Sequence, residues 1–143
     1  MVLIFLEGAV SYPAFSALPP ETPVGWLVML VGAVGLVAGA TMVYRGIDNL
    51  GGNLAAHPAP VADATLVEHG IYRRVRHPIY AGVILLAIGW AFFVGSPAAL
   101  VVALLLATWL DLKSRREEVW LLAHHAGYAA YRRRTNRFVP GLY

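Results

Sequence analysis

The stretch GIYRRVRHPIY, residues 70–80, joins a polar, aromatic and cationic segment directly to a long apolar run. The run begins at Pro78 and continues to Leu110 without one charged side chain. Three arginines and a histidine are therefore predicted at the mouth of a membrane helix, where a charged small molecule can be held beside lipid. The C-terminal stretch from Lys113 to Tyr143 is expected to supply the second half of the same site.

The composition indicates an integral membrane protein with a single domain. Of the 143 residues, 59% are hydrophobic and 13% are charged, a balance that is rare in a soluble domain of this length. The absence of cysteine excludes disulfides, thiolate catalysis and cysteine metal sites. The net charge of +3 does not indicate nucleic acid as a partner, because the basic residues flank apolar runs as they do in cytoplasmic membrane loops.

Three apolar segments predict an all-α fold, a polytopic membrane helical bundle that contains a helical hairpin. Thr22–Tyr44 is uncharged and, at about 1.5 Å per residue, reaches roughly 30 Å, which is enough to span a bilayer. Pro78–Val94 and Ala98–Leu112 are shorter arms that a tight turn at residues 95–97 joins into an antiparallel hairpin. For residues 1–20, which are apolar but interrupted by prolines, a tilted membrane helix and an interfacial helix both stay open.

The positions of the basic residues predict the topology. No Lys or Arg precedes Arg45, so the positive-inside rule places the 45–77 loop and the C-terminal region in the cytoplasm. This assignment brings the His77 and Glu117 ends of two helices to one face of an inner or cytoplasmic membrane. The single domain, residues 1–143, divides into N-terminal membrane helices (1–44), a cytoplasmic cofactor loop (45–77), a transmembrane hairpin (78–112) and cytoplasmic C-terminal helices (113–143).

From Lys113 the return helix is predicted to continue as an amphipathic helix that lies along the membrane surface and ends near Gly127. A short helix at residues 128–134 follows. Lys113 and Glu117 share a helix face, either as an ordinary surface ion pair or as a carboxylate that binds hydroxyls or an amine beside a cation. Glu117 and Glu118 point about 100° apart on a helix, so we expect only one of them to face an inward pocket.

Other polar groups and glycines leave structural and functional interpretations open. Arg73, Arg74 and Arg76 can set the membrane topology and contact lipid head groups, and they can equally bind a ligand. Gly35 and Gly39 form a small-xxx-small pair, which favours close helix packing and permits an oligomer. The five histidines lack metal-ligand spacing, so we expect no metal site.

A two-part motif resembles the isoprenylcysteine carboxyl methyltransferase family, whose wider group includes the phospholipid N-methyltransferases. Its parts are Leu66-Val67-x-x-Gly70-x-Tyr72-x-x-x-Arg76-His77-Pro78-x-Tyr80-x-Gly82, and then Glu117-Glu118-x-x-Leu121, Tyr128-x-x-Tyr131 and Pro140. The resemblance covers about residues 45–143. The N-terminal membrane part is abbreviated, and His125-Ala126-Gly127-Tyr128 replaces the usual Phe-Gly-x-x-Tyr with one residue fewer. These departures bear on the choice of substrate more than on cofactor binding.

The resemblance implies an integral membrane methyltransferase that uses S-adenosylmethionine, in a cytoplasmic pocket closed by the C-terminal helices. The implied cofactor contacts are Ala64, Thr65, Leu66, Val67, Tyr72, His77, Pro78, Ile79, Tyr80 and Glu117. Lys113 falls where isoprenylcysteine enzymes have a substrate-binding arginine, so Lys113 and Glu117 are the candidate catalytic residues. Methyl transfer is an in-line displacement that needs alignment and exclusion of water.

The expected substrate is a lipophilic small molecule or a lipid that enters from the bilayer. Prenylcysteine carboxylate, a phospholipid amine, a thiol and other lipids all stay open as acceptors. Two alternatives to the methyltransferase remain. A sterol-reductase-like protein that binds NADPH shares the Arg-His-Pro and Tyr-x-x-Tyr patterns, and a non-catalytic membrane subunit can keep the same fold.

Overall fold

The computed structural model describes residues 22–51 and 66–142. These ranges contain four α-helices, which are α1 (Pro23–Leu50), α2 (Pro78–Phe93), α3 (Pro97–His124) and α4 (Tyr128–Arg134). One turn of 3₁₀ helix, Gly70–Arg73, precedes α2. The predicted all-α fold and the predicted short helix at residues 128–134 are confirmed. The expectation for residues 1–20 lies outside the described residues.

Local sequence signals set the starts of α1 and α3. The side chain of Thr22 accepts a hydrogen bond from the Gly25 amide at 2.9 Å, and Pro23 occupies the first turn of α1. Ser96 caps α3 in the same way, accepting from the Ala99 amide at 3.2 Å. Gly95 supplies the left-handed backbone, with φ of 63°, that reverses the chain between α2 and α3.

Two helices, α1 and α3, are long and apolar enough to cross a membrane, and α2 is a shorter apolar helix. Large apolar side chains cover the exposed surfaces of α1 and α3, as expected of surfaces that face lipid. They include Trp26, Leu27, Leu30, Val34 and Val37 on α1, and Val101, Val102, Leu104, Leu105 and Trp109 on α3. This arrangement is that of a membrane protein.

The structure corrects one predicted helix boundary and confirms another. Helix α1 extends six residues past Tyr44 to Leu50, so Arg45 belongs to the helix and not to a loop. Helix α3 runs without interruption through Lys113 to His124, so the predicted continuation of the return helix into the charged stretch is confirmed. Helix α1 continues past Tyr44 because charged side chains leave the backbone hydrogen bonds of a helix intact, and the residues up to Leu50 contain no proline.

Helices α1 and α2 approach each other through glycine. The buried residues of α1 are Gly25, Gly32, Gly39 and Gly46, one in every seven. A Cβ added at Gly32 would lie 2.3 Å from the Phe93 amide nitrogen, and one at Gly39 would lie 2.7 Å from the Gly82 carbonyl oxygen. The close packing predicted for Gly35 and Gly39 is therefore confirmed, since a Cβ at Gly35 would also lie 3.1 Å from the Gly89 Cα, and the contacts are made inside one chain.

Helix α2 packs against α1 on one side and α3 on the other. The segment that leads into α2 is tied to the end of α1. Asn49 Oδ1 accepts a hydrogen bond from the Ile71 amide at 3.0 Å, and the Tyr72 hydroxyl donates to the Gly46 carbonyl at 3.3 Å. Gly70 has φ of 58° and packs so closely on Asn49 that a side chain there would collide with it.

The C-terminal tail pairs with the same segment from the other side. Val75 and Asn136 form a parallel β-bridge. The Arg76 amide donates to the Asn136 carbonyl at 2.8 Å, and the His77 amide donates to the Arg137 carbonyl at 3.1 Å. The backbone just before α2 is thus held between α1 and the tail, which fixes the direction of the side chains that follow.

Candidate active site

His77, Tyr80 and Glu117 meet where α2 begins and where the charged part of α3 passes it. The Tyr80 hydroxyl donates a hydrogen bond to Glu117 Oε1 at 2.7 Å. His77 Nδ1 lies 3.7 Å from Glu117 Oε2, and the imidazole stacks on the Tyr80 ring with 5.4 Å between centroids. The structure thus brings together the imidazole and the carboxylate that the sequence predicted to share a site.

Lys113 lies on the same side of this group. Its Nζ is 3.8 Å from Glu117 Oε1, one helical turn further along α3. The ammonium also lies over two aromatic rings, 5.1 Å from the Tyr80 centroid and 5.6 Å from the Trp109 centroid. The predicted Lys113–Glu117 pair therefore forms, and it forms beside aromatic faces.

Glu118 occupies the interior position next to this site. Its side chain is 2% exposed, whereas that of Glu117 is 38% exposed. Arg76 Nε donates to Glu118 Oε1 at 2.9 Å, Arg137 donates to both carboxylate oxygens at 3.1 and 3.2 Å, and Arg132 Nε is 3.4 Å from Oε2. One carboxylate thus joins α3 to the segment before α2 and to the C-terminal tail.

Glu118 and the three arginines around it, Arg76, Arg132 and Arg137, form the Glu118 cluster, and the arginines keep the carboxylate ionised. We place α3 from Asp111 onward outside the membrane core, because six of the eight residues from 111 to 118 are charged. Burial by itself raises the pKa of Glu118, but interactions with His77, Arg137 and Arg76 outweigh it and hold the pKa well below the ordinary carboxyl value. Glu118 is therefore a fixed anion that the guanidinium groups surround.

Two buried polar atoms beside the Glu118 cluster have no hydrogen-bond partner among the described residues. They are His77 Nε2 and the Tyr128 hydroxyl oxygen. His77 Nε2 is 3.5 Å from Glu118 Oε1, in a geometry that makes no hydrogen bond. His77 therefore lies between the two glutamates, with Nδ1 toward Glu117 and Nε2 toward Glu118.

The other predicted cofactor residues lie around the start of α2. The Tyr72 ring is buried, and because burial raises the pKa of Tyr72 to about 12, its hydroxyl stays a donor, which is directed to α1. Pro78 is buried and Ile79 lies against Gly46 of α1. Leu66 and Val67 are half-buried without regular secondary structure. Ala64 and Thr65 lie outside the described residues.

The Glu118 cluster was not among the residues predicted for the site. The sequence carried one signal of it, since adjacent glutamates on a helix cannot both face outward in the same direction. Which of the two is buried depends on the rotation of α3 about its axis. That rotation is set by Arg76 and Arg137, which are 42 and 19 residues away from Glu118 in the chain.

Comparison with known proteins places this architecture in a family. The family model for phospholipid methyltransferases matches residues 27–127, which include α1 from Leu27 onward and all of α2 and α3. A solved structure of isoprenylcysteine carboxyl methyltransferase, a eukaryotic intramembrane Ras methyltransferase, is similar with a TM-score of 0.69 and 26% sequence identity. The match covers 81% of this chain and 43% of that one, so this chain spans less than half of that enzyme. No curated protein sequence matches the chain. By the extent of the family match, the chain belongs to the phospholipid methyltransferase family.

Proposed function

We propose that the protein is an integral membrane methyltransferase that transfers a methyl group from S-adenosylmethionine to a lipophilic, membrane-embedded acceptor. The observation that carries the proposal is the convergence of His77, Tyr80 and Glu117 from two helices, with 2.7 Å between the Tyr80 hydroxyl and Glu117 Oε1. Membership of a methyltransferase family supports the reaction type. The lipid-facing surfaces of α1 and α3 support an acceptor that arrives through the bilayer.

The residues at the site fit the chemistry of S-adenosylmethionine. This cofactor presents a sulfonium cation, an ammonium group, a carboxylate and ribose hydroxyls. Glu117 is a partly exposed carboxylate that can accept from hydroxyls or an amine, and His77 Nε2 is a buried atom without a hydrogen-bond partner among the described residues. The Tyr80 ring offers an electron-rich face to a cation.

We therefore assign cofactor binding to the residues around the start of α2 and to one carboxylate of α3. His77, Tyr80 and Glu117 would contact the cofactor directly. Pro78 and Ile79 form the first turn of α2. The hydrogen bond from the Tyr72 hydroxyl to α1 anchors the segment before that turn. The remaining members of the proposed set are Ala64, Thr65, Leu66 and Val67, which precede this segment in the chain.

The bound cofactor would supply an electrophilic methyl group. The residues of this chain would then align the acceptor atom with that methyl and keep water away. Lys113 and Glu117 are the candidate groups on the acceptor side. A carboxylate or thiolate acceptor needs no general base, whereas an amine acceptor must lose its proton before it reacts.

The charge distribution supports a site on the cytoplasmic face of the membrane. Arginines cluster at the end of the molecule that carries the site, in the segment before α2 and in α4. Positive residues of membrane proteins concentrate on the cytoplasmic side. The cofactor would therefore enter from the cytoplasm while the acceptor enters from lipid.

Calorimetry on the purified full chain in detergent tests the proposal. We expect binding of S-adenosylmethionine or S-adenosylhomocysteine, and we expect His77→Ala and Glu117→Ala to weaken it at least tenfold. Asp48→Asn, at an exposed carboxylate near the end of α1, is the matched control and should bind as the wild type does.

Two further measurements separate the alternatives. Titration with NADPH should show no binding, and NADPH binding in place of S-adenosylmethionine would favour the sterol-reductase-like protein. Transfer of labelled methyl groups to a lipid extract should occur with the wild type. Cofactor binding without turnover on any acceptor class would indicate the non-catalytic subunit.

A further inference from the structure

The contact between α1 and α2 fixes the relative heights of the helix ends in the membrane. A Cβ at Gly46 would lie 2.6 Å from the Ile79 side chain, and one at Gly32 would lie 2.3 Å from the Phe93 amide nitrogen. The two pairs are the same number of residues apart in both helices, so α1 and α2 run antiparallel in one register. Helix α2 therefore ends beside Gly32 and does not reach the start of α1.

The two sides of the molecule have different apolar heights. From Gly32 back to Pro23, α1 continues about 13 Å past the end of α2, and its uncharged part, residues 23–44, is about 33 Å long. The hairpin is shorter, since α2 has 16 residues, or about 24 Å, and the uncharged part of α3, residues 97–110, is about 21 Å long. The hydrocarbon core of a bilayer, about 30 Å thick, matches α1 and exceeds both arms of the hairpin.

Tilting of the molecule does not remove this difference. A tilt lowers the height that a helix spans, so it fits a long helix to a thin bilayer but does not make a short helix reach further. In a flat bilayer that α1 spans, the turn at residues 95–97 would lie roughly 6–9 Å below the outer boundary of the hydrocarbon.

The turn between α2 and α3 is poorly suited to hydrocarbon. Two helix ends meet there, and helix ends leave backbone N–H and C=O groups without partners inside the helix. Lipid chains cannot bond to such groups, so non-helical backbone at membrane depth needs protein or water around it. Pro97 is exposed and Gly95 is half-buried, so the described part of the chain does not enclose the turn.

Two exposed tryptophans indicate the outer boundary at different heights. Trp26 lies near the start of α1, and Trp90 lies near the end of α2. Trp90 follows Gly89, which packs beside Gly35, and Gly35 is about 13 Å further along α1 than Trp26. Tryptophan is enriched where hydrocarbon meets the head groups. The boundary beside α2 is therefore deeper than the boundary beside α1.

We propose that the protein thins the bilayer on the side of the α2–α3 hairpin, where the outer head groups come down to Trp90 and the turn, while the bilayer along α1 keeps its ordinary thickness. The partner of the hairpin surface is a layer of phospholipids whose chains are short or disordered enough to cover about 21–24 Å. This proposal involves neither cofactor nor acceptor, so its failure and that of the proposed function are independent.

Nitroxide labels at two positions of similar height test the thinning. Ala98→Cys lies beside the turn, and Leu30→Cys lies on the exposed surface of α1, two residues from Gly32. In bilayers of dioleoylphosphatidylcholine, we expect the label at position 98 to collide with a water-soluble nickel complex at least fivefold more often than the label at position 30. Leu105→Cys, on the exposed apolar surface of α3, is the control and should report lipid.

Equal and low collision rates at positions 98 and 30 would mean that the hairpin is submerged in a flat bilayer, which would overturn the proposal. Equal and high rates would mean that the bilayer is thin around the whole molecule, which contradicts it as well. Circular dichroism of each labelled variant checks that it folds as the wild type does.

The chain length of the lipid gives a second test, on the unmodified protein. The cost of deforming a bilayer rises with the mismatch between the bilayer and the protein. We expect the melting temperature to be highest in phosphatidylcholine with 14-carbon chains and to fall by at least 5 °C toward 22-carbon chains. A maximum at 18 carbons, where the bilayer matches α1, would contradict the thinning.

Discussion

Glu117 and Glu118 are neighbours in the chain and lie in opposite environments. Glu117 is partly exposed and bonds to Tyr80, while Glu118 is buried among Arg76, Arg132 and Arg137. A buried carboxylate that several guanidinium groups contact is costly to lose, because its partners remain buried without an anion. A partly exposed carboxylate is free to act on a ligand. We therefore expect substitution of Glu118 to lower the stability of the fold and substitution of Glu117 to weaken ligand binding.

Glu118→Gln should lower the free energy of unfolding by about 3–5 kcal/mol, the usual cost of removing one partner of a buried ion pair. Glu117→Gln should lower it by no more than about 1 kcal/mol, because this carboxylate is half exposed to solvent. Thermal unfolding followed by circular dichroism in detergent measures both variants. An equal loss in the two variants would contradict the structural role of Glu118.

Unfolding at acid pH provides a second test of the difference between Glu118 and Glu117 in their contribution to stability. Since the folded-state pKa of Glu118 is depressed, its contribution to stability is complete above the ordinary carboxyl pKa of 4.5 and is lost as pH falls toward the folded value. The wild type should lose more stability than Glu118→Gln when pH is lowered below 4.5. Glu117→Gln should retain the wild-type slope.

At the scale of the element, the contact of α1 with α2 depends on the absence of side chains. Gly32 and Gly39 of α1 face Gly82, Gly89 and Phe93 of α2 at distances that leave no room for a methyl group. Without a hydrophobic driving force inside lipid, such close backbone packing is what holds two membrane helices together. The site depends on this contact, because α1 also anchors the segment before α2.

Gly39→Ala should force α1 and α2 apart and destabilise the fold by about 1–3 kcal/mol, as overpacking does. The new Cβ would lie 2.7 Å from the Gly82 carbonyl oxygen, which is backbone and cannot rotate away. Gly127→Ala is the control, since nothing lies within 4 Å of its Cβ position and its φ is −80°. A melting temperature equal to that of Gly127→Ala would refute the packing argument.

At the scale of the whole molecule, the α2–α3 turn and the candidate site lie at opposite ends of one helical hairpin. Helix α2 starts at the site and ends at the turn, and α3 returns from the turn to the site. Among the described residues, the charged side chains lie toward the end that carries the site, and the turn at residues 95–97 contains none. Insertion with the arginines in the cytoplasm would put the turn outside.

Because the sequence has no cysteine, single cysteines report the orientation directly. We expect Ala98→Cys, beside the turn, to react with a membrane-impermeant maleimide added outside intact cells. Ala126→Cys, after the end of α3, should react only when the membrane is opened. The reverse pattern would place the site on the outer face and would contradict the proposed entry of the cofactor from the cytoplasm.

Hydropathy and turn residues were sufficient to predict the helices, because apolar segments of membrane length and the breakers at residues 95–97 act locally. They predicted the helix ends less well. Charge after Tyr44 was taken as the end of a helix, whereas α1 continues to Leu50, since no proline interrupts the backbone hydrogen bonds there.

By itself, the sequence determined that this is an all-α membrane protein with its polar ends on one side, since these properties follow from hydropathy, breakers and the order of charges along the chain. Only the tertiary structure decided that Glu118 and not Glu117 is buried, and that the Tyr80 ring completes the surroundings of Lys113. Both depend on the rotation of α3 against α2 and on a tail far away in the chain. No local pattern encodes that rotation, because it is the packing of distant residues that sets it.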